Sequence, residues 1–79
     1  MLNQTDQTLS EIFRVVLELP DGVDCMKIRR IGERRWDSLA HASLVAAIES
    51  EFRISLDTGE IERMTSYAAT RLLLEEKGR

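Results

Sequence analysis

The sequence has a single cysteine, no long hydrophobic run and no excess of positive charge, and each absence excludes a class of protein. Cys25 has no second cysteine to pair with, so neither an intrachain disulfide framework nor a cysteine-based zinc site can form. No apolar segment approaches the roughly 20 residues of a membrane-spanning helix, and residues 1–8 do not resemble a secretion signal. We therefore expect a cytoplasmic protein that does not insert into a membrane.

The length and charge of the chain indicate one small domain that does not bind nucleic acid. The 79 residues carry 14 acidic and 11 basic side chains, for a formal net charge of −3. Nucleic acid attracts broad basic surfaces, whereas the one locally basic stretch here, residues 27–35, is short. A chain of this size cannot build two independent cores. We expect a monomeric single domain over residues 1–79, in which residues 1–7 form a flexible N-terminal tail.

The first helix is predicted from a capping box followed by a helical apolar stripe. Thr8 and Glu11 have the spacing at which a hydroxyl and a carboxylate each satisfy a free backbone amide of the first turn. The apolar residues that follow recur at helical spacing and should face the core: Leu9, Ile12, Phe13 and Val16. Pro20 is predicted to stop this helix because proline cannot donate the next backbone hydrogen bond.

A long ordered loop and a second helix are predicted for the middle of the chain. The apolar residues expected to anchor the loop are Val23, Met26, Ile28 and Ile31. Helix two should run from about Ser38 to Phe52 and carry two apolar stripes. The stripe of large residues, predicted to face the core, is Leu44, Val45, Ile48 and Phe52. The stripe on the opposite face, a candidate docking surface, is Leu39, Ala42 and Ala46.

The C-terminal third is predicted to form an extended strap and two further helices. Apolar residues alternate through the strap at Phe52, Ile54 and Leu56. A short helix containing Ile61 and Met64 should follow, with Asp57, Thr58 and Glu60 at its start. Thr65 is predicted to cap a last helix that carries Ala69, Leu72 and Leu73 and ends at Gly78. The expected fold is all-α: a small four-helix bundle with three main helices, one short helix and a long loop between helices one and two.

The tripeptide Asp37-Ser38-Leu39 places a serine at the predicted start of helix two. The residues downstream that keep a recognisable spacing are Leu44, Ile48, Glu49, Phe52, Ile54, Leu56 and the Met64-Thr65-Ser66 junction. With this set the chain resembles the acyl carrier protein family, from helix one onward. In that family the serine of the tripeptide receives 4′-phosphopantetheine from coenzyme A, and the thiol of this arm carries an acyl group as a thioester. Ser38 is the matching position.

The resemblance implies a non-catalytic carrier that serves as substrate and partner of enzymes. Its partners would be a phosphopantetheinyl transferase and the acyl-loading and acyl-accepting enzymes of lipid, fatty acid, polyketide or other specialised biosynthesis. The residues expected to recognise these partners are Asp37, Leu39, Ala42, Ala46, Trp36 and Glu49. His41 is a candidate contact for the phosphate or the cargo, with a packing role as its simpler interpretation. A short acyl chain would be sheltered by residues such as Ile48, Phe52, Ile61 and Tyr67.

The chain departs from the family pattern at two places, and the second favours a specialised pathway over general fatty acid synthesis. Trp36 stands before the tripeptide, where family members commonly have a small residue, and we favour a structural anchor over a grip on a partner. Ala40-His41-Ala42-Ser43 follows it, where acidic residues usually meet basic enzyme surfaces. The alternatives are an aminoacyl or peptidyl carrier, and an unmodified helical interaction module in which Asp37 and Ser38 only cap a helix.

Overall fold

Four α-helices and one 3-10 turn make up the regular structure of residues 3–79, the part of the chain that the computed structural model describes. The helices are α1 (Gln4–Val16), α2 (Ser38–Phe52), α3 (Thr58–Arg63) and α4 (Tyr67–Glu76), and the 3-10 turn spans Cys25–Lys27. No strand occurs in this range, only an isolated antiparallel bridge between Arg29 and Ser66. The prediction of a small, mostly helical bundle with a long connection after the first helix is confirmed.

The first helix begins earlier than the sequence predicts. The side-chain oxygen of Asn3 accepts a 2.8 Å hydrogen bond from the backbone N–H of Asp6, so Asn3 is the N-cap and Gln4 the first helical residue. The capping box predicted at Thr8 is therefore wrong. Residues 4–7 are helical, which also contradicts the predicted flexible tail for them, and residues 1 and 2 lie outside the described range.

The end of α1 is set by a backbone reversal and not by Pro20. Leu17 caps the helix, and Glu18 has a left-handed φ of 51°. The N–H of Leu19 then donates to the carbonyl of Arg14 over 3.0 Å, which satisfies one of the free carbonyls of the last turn. The chain has left the helix before proline is reached.

An aromatic cluster centred on Phe13 forms the middle of the core. Leu9, Ile12 and Phe13 are buried as predicted. The ring of Phe13 packs edge-on against both Trp36 and Tyr67, with centroid distances of 5.2 and 5.1 Å. α1, the end of the long loop and α4 thus meet at one side chain.

Helix α2 has the predicted bounds, because Asp37 supplies a cap that can be read from the sequence. A side-chain oxygen of Asp37 accepts from the backbone N–H of Ala40 over 2.8 Å. Of the predicted core stripe, Leu44 and Ile48 are buried, and Val45 and Phe52 are half-buried and pack against the core. The opposite stripe is exposed at all three positions, Leu39, Ala42 and Ala46.

The long loop is anchored by different residues from those predicted. Ile28 is buried and Val23 half-buried, but Met26 is 50% exposed and Ile31 is 91% exposed. Cys25 and Trp36 are buried in their place. The carboxylate of Asp24 caps the 3-10 turn by accepting from the N–H of Met26, and the turn then buries Cys25.

The loop is tied by its backbone to the junction of α3 and α4. The N–H of Arg30 donates to the carbonyl of Thr65 over 2.9 Å, and the N–H of Tyr67 donates to the carbonyl of Ile28 over 3.0 Å. These paired groups flank the bridge between Arg29 and Ser66. Residues 28–30 are consequently fixed relative to the C-terminal half of the chain.

The two C-terminal helices follow the prediction with two corrections. Asp57 and Glu60 form a reciprocal capping box at the start of α3. The cap of α4 is Ser66 and not Thr65, because the hydroxyl of Ser66 accepts from the N–H of Ala69. The predicted apolar face of α4 also differs, because Leu73 and Leu74 are buried while Leu72 is 53% exposed.

Candidate functional site

Ser38 presents a free hydroxyl at the first residue of α2. Its side chain is exposed and makes no hydrogen bond to residues 3–79. The backbone N–H groups of Ser38 and Leu39 also lack acceptors in this range, whereas those of Ala40 and His41 are taken by Asp37. Free amides at the positive end of a helix favour a negative charge by roughly 0.3–1 kcal/mol at an exposed site. The position therefore suits an anionic group attached to the hydroxyl.

Ser38 opens into a groove between α2 and α3 with a volume of about 540 Å³. The residues that line it are Arg30, Ser38, His41, Ala42, Val45, Ala46, Glu49 and Ile61. The middle of the groove is apolar, and the small side chains of Ala42 and Ala46 leave space where larger residues would fill it. Its two ends differ in charge, with Arg30 near Ser38 and Glu49 eleven residues further along α2 (about 16 Å at the helical rise).

The carboxylate of Glu49 also has a structural role. One of its oxygens accepts from the backbone N–H of Leu56 over 2.8 Å, which holds the strap between α2 and α3 against the end of α2. Glu49 is half-buried at this position. The predicted partner-recognition residue therefore shapes the far end of the groove.

The residues predicted to shelter an acyl chain are not brought together in this groove. Ile61 lines it, but Ile48 and Tyr67 are buried in the core, and Phe52 does not border it. The prediction placed the shelter between helices two and three, with Ile48 and Phe52 of the core stripe in its lining. The groove instead lies along Ala42, Val45 and Ala46.

Trp36 and His41 act together as a buried anchor beside the site. The indole N–H of Trp36 donates to Nδ1 of His41 over 2.9 Å, and Nε2 of His41 lies 3.0 Å from the carbonyl oxygen of Ile61. This pattern places the proton on Nε2, which donates to Ile61. Trp36 is 3% exposed and belongs to the core, which fits a structural anchor and leaves almost none of its surface for contact with a partner. Both ring nitrogens of His41 are occupied, which leaves neither for the predicted phosphate contact.

The predicted docking stripe is divided by the structure. Leu39 is 77% exposed and lies outside the groove, whereas Ala42 and Ala46 form part of its lining. A partner protein would thus contact Leu39, whereas a flexible group lying in the groove would contact Ala42 and Ala46. Asp37 is also exposed, but one of its oxygens is committed to the helix cap.

The basic loop contributes one residue to the site that the sequence did not single out. Arg30 lines the groove beside Ser38, while Arg34 does not. Arg35 is paired with Glu33 over 3.2 Å. Among the described residues, no carboxylate pairs with Arg29, Arg30 or Arg34. A loop without periodicity gives no signal of which arginine borders Ser38, because that depends on the backbone pairing of the loop with the α3–α4 junction.

Other chemically reactive groups in the described chain do not assemble into a second site. Cys25 is buried, and burial raises the pKa of its thiol above the ordinary value, which disfavours the reactive thiolate. Within residues 3–79, no group of three or more histidine, cysteine, aspartate or glutamate side chains is placed to hold a metal ion. The described helices include none with the length and apolar character to cross a membrane.

Comparisons of the chain with protein-family models, with curated proteins and with solved structures find no match.

Proposed function

We propose that this chain is an acyl carrier protein in which Ser38 carries 4′-phosphopantetheine. The observation that supports this most directly is the exposed, unpartnered hydroxyl of Ser38 at the first residue of α2, where it opens into the α2–α3 groove. A carrier serine has to be accessible to a modifying enzyme and rigidly presented. The cap formed by Asp37 and the buried pair Trp36–His41 provide that rigidity.

The residues at the site fit the chemistry of the proposed group. A phosphodiester on Ser38 is an anion, and it would lie beside two free backbone N–H groups at the positive end of α2. The apolar lining formed by Ala42, Val45, Ala46 and Ile61 offers a surface for a flexible chain. The bound arm would supply a thiol that carries an acyl group as a thioester.

The fold supports the proposal at a coarser level. The short helix α3 packs against α4 and reaches α2 through the contact between the Ile61 carbonyl and His41, and a long ordered loop precedes the serine. Three main helices, one short helix and a long first loop are what the family resemblance implies. We propose a monomeric, non-catalytic, cytoplasmic carrier that is a substrate of a phosphopantetheinyl transferase and of acyl-loading and acyl-accepting enzymes.

The charge around Ser38 supports a specialised pathway. The first two turns of α2 carry no acidic residue after Asp37, and the basic loop that precedes Asp37 holds arginines that pair with no described carboxylate. An enzyme that docks here would meet Leu39 as an exposed apolar contact. Its complementary surface would be apolar with an acidic rim.

Intact mass spectrometry tests the proposal. The purified protein is incubated with coenzyme A, magnesium and several phosphopantetheinyl transferases of broad specificity. Wild type should gain one phosphopantetheinyl group and Ser38→Ala should gain none. Ser43→Ala is the matched control, since Ser43 is an exposed serine on the same helix, and it should be modified as wild type is. A wild type that stays bare with every transferase would contradict the carrier function and favour an unmodified interaction module.

A further inference from the structure

Arg30 lines the same groove as Ser38 and lies on a segment that is fixed by its own backbone. Its N–H donates to the carbonyl of Thr65 over 2.9 Å, next to the bridge between Arg29 and Ser66. The carbonyl of Arg30 accepts from the N–H of Glu33, which closes the turn that follows. The side chain is half-buried and lines the groove with Ser38. The position of Arg30 is thus set by hydrogen bonds that do not involve its guanidinium.

The charge of Arg30 is not neutralised by any described carboxylate. Within the basic stretch of residues 27–35 the one acidic side chain, Glu33, pairs with Arg35. Glu49 lies eleven residues beyond Ser38 on α2, about 16 Å at the helical rise, and no ion pair joins it to Arg30. His41, the other nitrogen-bearing side chain in the lining, has both ring nitrogens occupied. The guanidinium is therefore the one cationic group of the groove lining, and its five donors lack an anionic partner within residues 3–79.

We propose that Arg30 holds the phosphodiester of the group carried by Ser38 and thereby directs that group along the α2–α3 groove. The inference rests on the proposed function and adds a positioning residue to it. A guanidinium binds phosphate oxygens through charge-assisted, often paired hydrogen bonds, whereas a neutral amide side chain of similar reach offers no charge. Anchoring by Arg30 places the start of the arm beside Ala42 and not on the exposed side of Leu39.

The loop supplies a matched control. Arg34 belongs to the same basic loop, is exposed, and neither lines the groove nor pairs with a described carboxylate. Arg30→Gln and Arg34→Gln remove the same charge from the same loop. Only Arg30→Gln removes the charge from the groove that contains Ser38. A difference between the two variants therefore depends on where the charge lies and not on the net charge of the protein.

Nuclear magnetic resonance of the modified protein tests the proposal without an activity assay. Each variant is first modified on Ser38 and checked by intact mass. In wild type, modification should shift the Nε–H resonance of Arg30, and the ³¹P resonance should differ from that of the same protein unfolded in urea. Arg30→Gln should move the ³¹P resonance toward the unfolded value, Arg34→Gln should leave it as in wild type, and Arg30→Lys should fall between them. Added salt should weaken the wild-type shift because the contact is partly open to solvent.

The outcomes separate this inference from the function on which it rests. Failure of wild type to gain the group contradicts both. A modified wild type whose Arg30 Nε–H resonance does not move contradicts the role of Arg30 alone, and so does a ³¹P shift that is equal in the Arg30→Gln and Arg34→Gln proteins. The Nε–H measurement needs no variant, so it decides the question even if Arg30→Gln folds poorly.

Discussion

The indole N–H of Trp36 donates a 2.9 Å hydrogen bond to Nδ1 of His41, and the two rings lie nearly parallel with centroids 6.0 Å apart. Through Nε2 the same histidine reaches the carbonyl of Ile61 in α3. One buried chain of contacts therefore links the end of the loop, the first turn of α2 and α3. These are the three segments that surround Ser38.

Trp36→Phe should destabilise the protein by about 2 kcal/mol. Phenylalanine retains an aromatic contact with Phe13 but cannot donate a hydrogen bond to His41. The buried Nδ1 of His41 is then left without a partner, at a cost of about 1–3 kcal/mol. The smaller phenylalanine side chain also leaves part of the core volume unfilled. Urea unfolding followed by circular dichroism measures the change in the free energy of unfolding.

A double-mutant cycle with His41→Leu isolates the contribution of the hydrogen bond. Trp36→Phe should cost less when His41 is already replaced, because no unsatisfied nitrogen is then created. Equal costs in the two backgrounds would show that the indole N–H contributes nothing beyond packing.

The sequence was most informative where a local capping signal and a helical period agree. Asp37 and the apolar period of residues 38–52 predicted both ends of α2, and Asp57 with Glu60 predicted α3. At α1 two capping signals compete, and the helix follows Asn3 instead of Thr8 because the earlier cap allows one more turn. The apolar residues of the loop have no regular spacing. Tertiary contacts therefore decide that Cys25 and Trp36 are buried while Met26 and Ile31 are exposed.

The candidate site was predictable to a similar extent. The helical position of Ser38 followed from the sequence pattern, and its choice as the candidate site from the resemblance to acyl carrier proteins. The packing role given as the simpler interpretation of His41 agrees with its burial. The groove and the place of Arg30 were not predictable, because both depend on the pairing of residues 28–30 with residues 65–67. That pairing joins segments nearly 40 residues apart and leaves no periodic trace in either.

Arg71→Ala should destabilise the fold more than the loss of an exposed ion pair does. Nε of Arg71 forms a hydrogen-bonded ion pair with the carboxylate of Asp6, which is 7% exposed, and the hydroxyl of Tyr67 lies 3.4 Å from the same carboxylate. Loss of the guanidinium leaves a buried charge with only one weak donor. The partial exposure of Arg71 keeps the expected cost below that of a fully buried pair.

Arg63→Ala is the matched control for this ion pair. Arg63 pairs with Glu76 over 2.8 Å, but both side chains are 48% exposed, so water screens the interaction. Its loss should change the free energy of unfolding less than Arg71→Ala does. Equal destabilisation by the two substitutions, measured by chemical unfolding, would mean that the Asp6–Arg71 pair behaves as an ordinary surface contact.

Stability should fall as the pH rises from about 10 to about 12, because of Tyr67. Burial, followed by the negative charge of Asp6, raises the pKa of Tyr67 from 10.0 to about 12. The folded state therefore keeps the phenol neutral where the unfolded chain has already lost its proton, so the stabilisation is present below pH 10 and is lost as the pH approaches 12.

The single tyrosine of the sequence allows this titration to be observed directly. The ultraviolet absorbance of tyrosinate should rise with a midpoint near pH 12 in the folded protein and near pH 10 in urea. Tyr67→Phe should show a shallower loss of stability over the same range, since it removes the phenol whose deprotonation destabilises the folded state. A folded-state midpoint near 10 would contradict the prediction.

Leu39→Glu should leave the fold intact and impair modification of Ser38. Leu39 is 77% exposed, so its replacement should change the free energy of unfolding by less than about 0.5 kcal/mol. Docking of a modifying enzyme over Ser38 would bury this side chain, and loss of one leucine contact corresponds to roughly 1.5 kcal/mol, or about tenfold in kcat/KM. Leu72→Glu, which introduces the same charge at a 53% exposed position on α4, should be modified at the wild-type rate. Suppose that the Leu39→Glu protein is well folded and is modified as fast as the wild type and the Leu72→Glu protein. The modifying enzymes would then reach Ser38 without contacting the exposed side of α2.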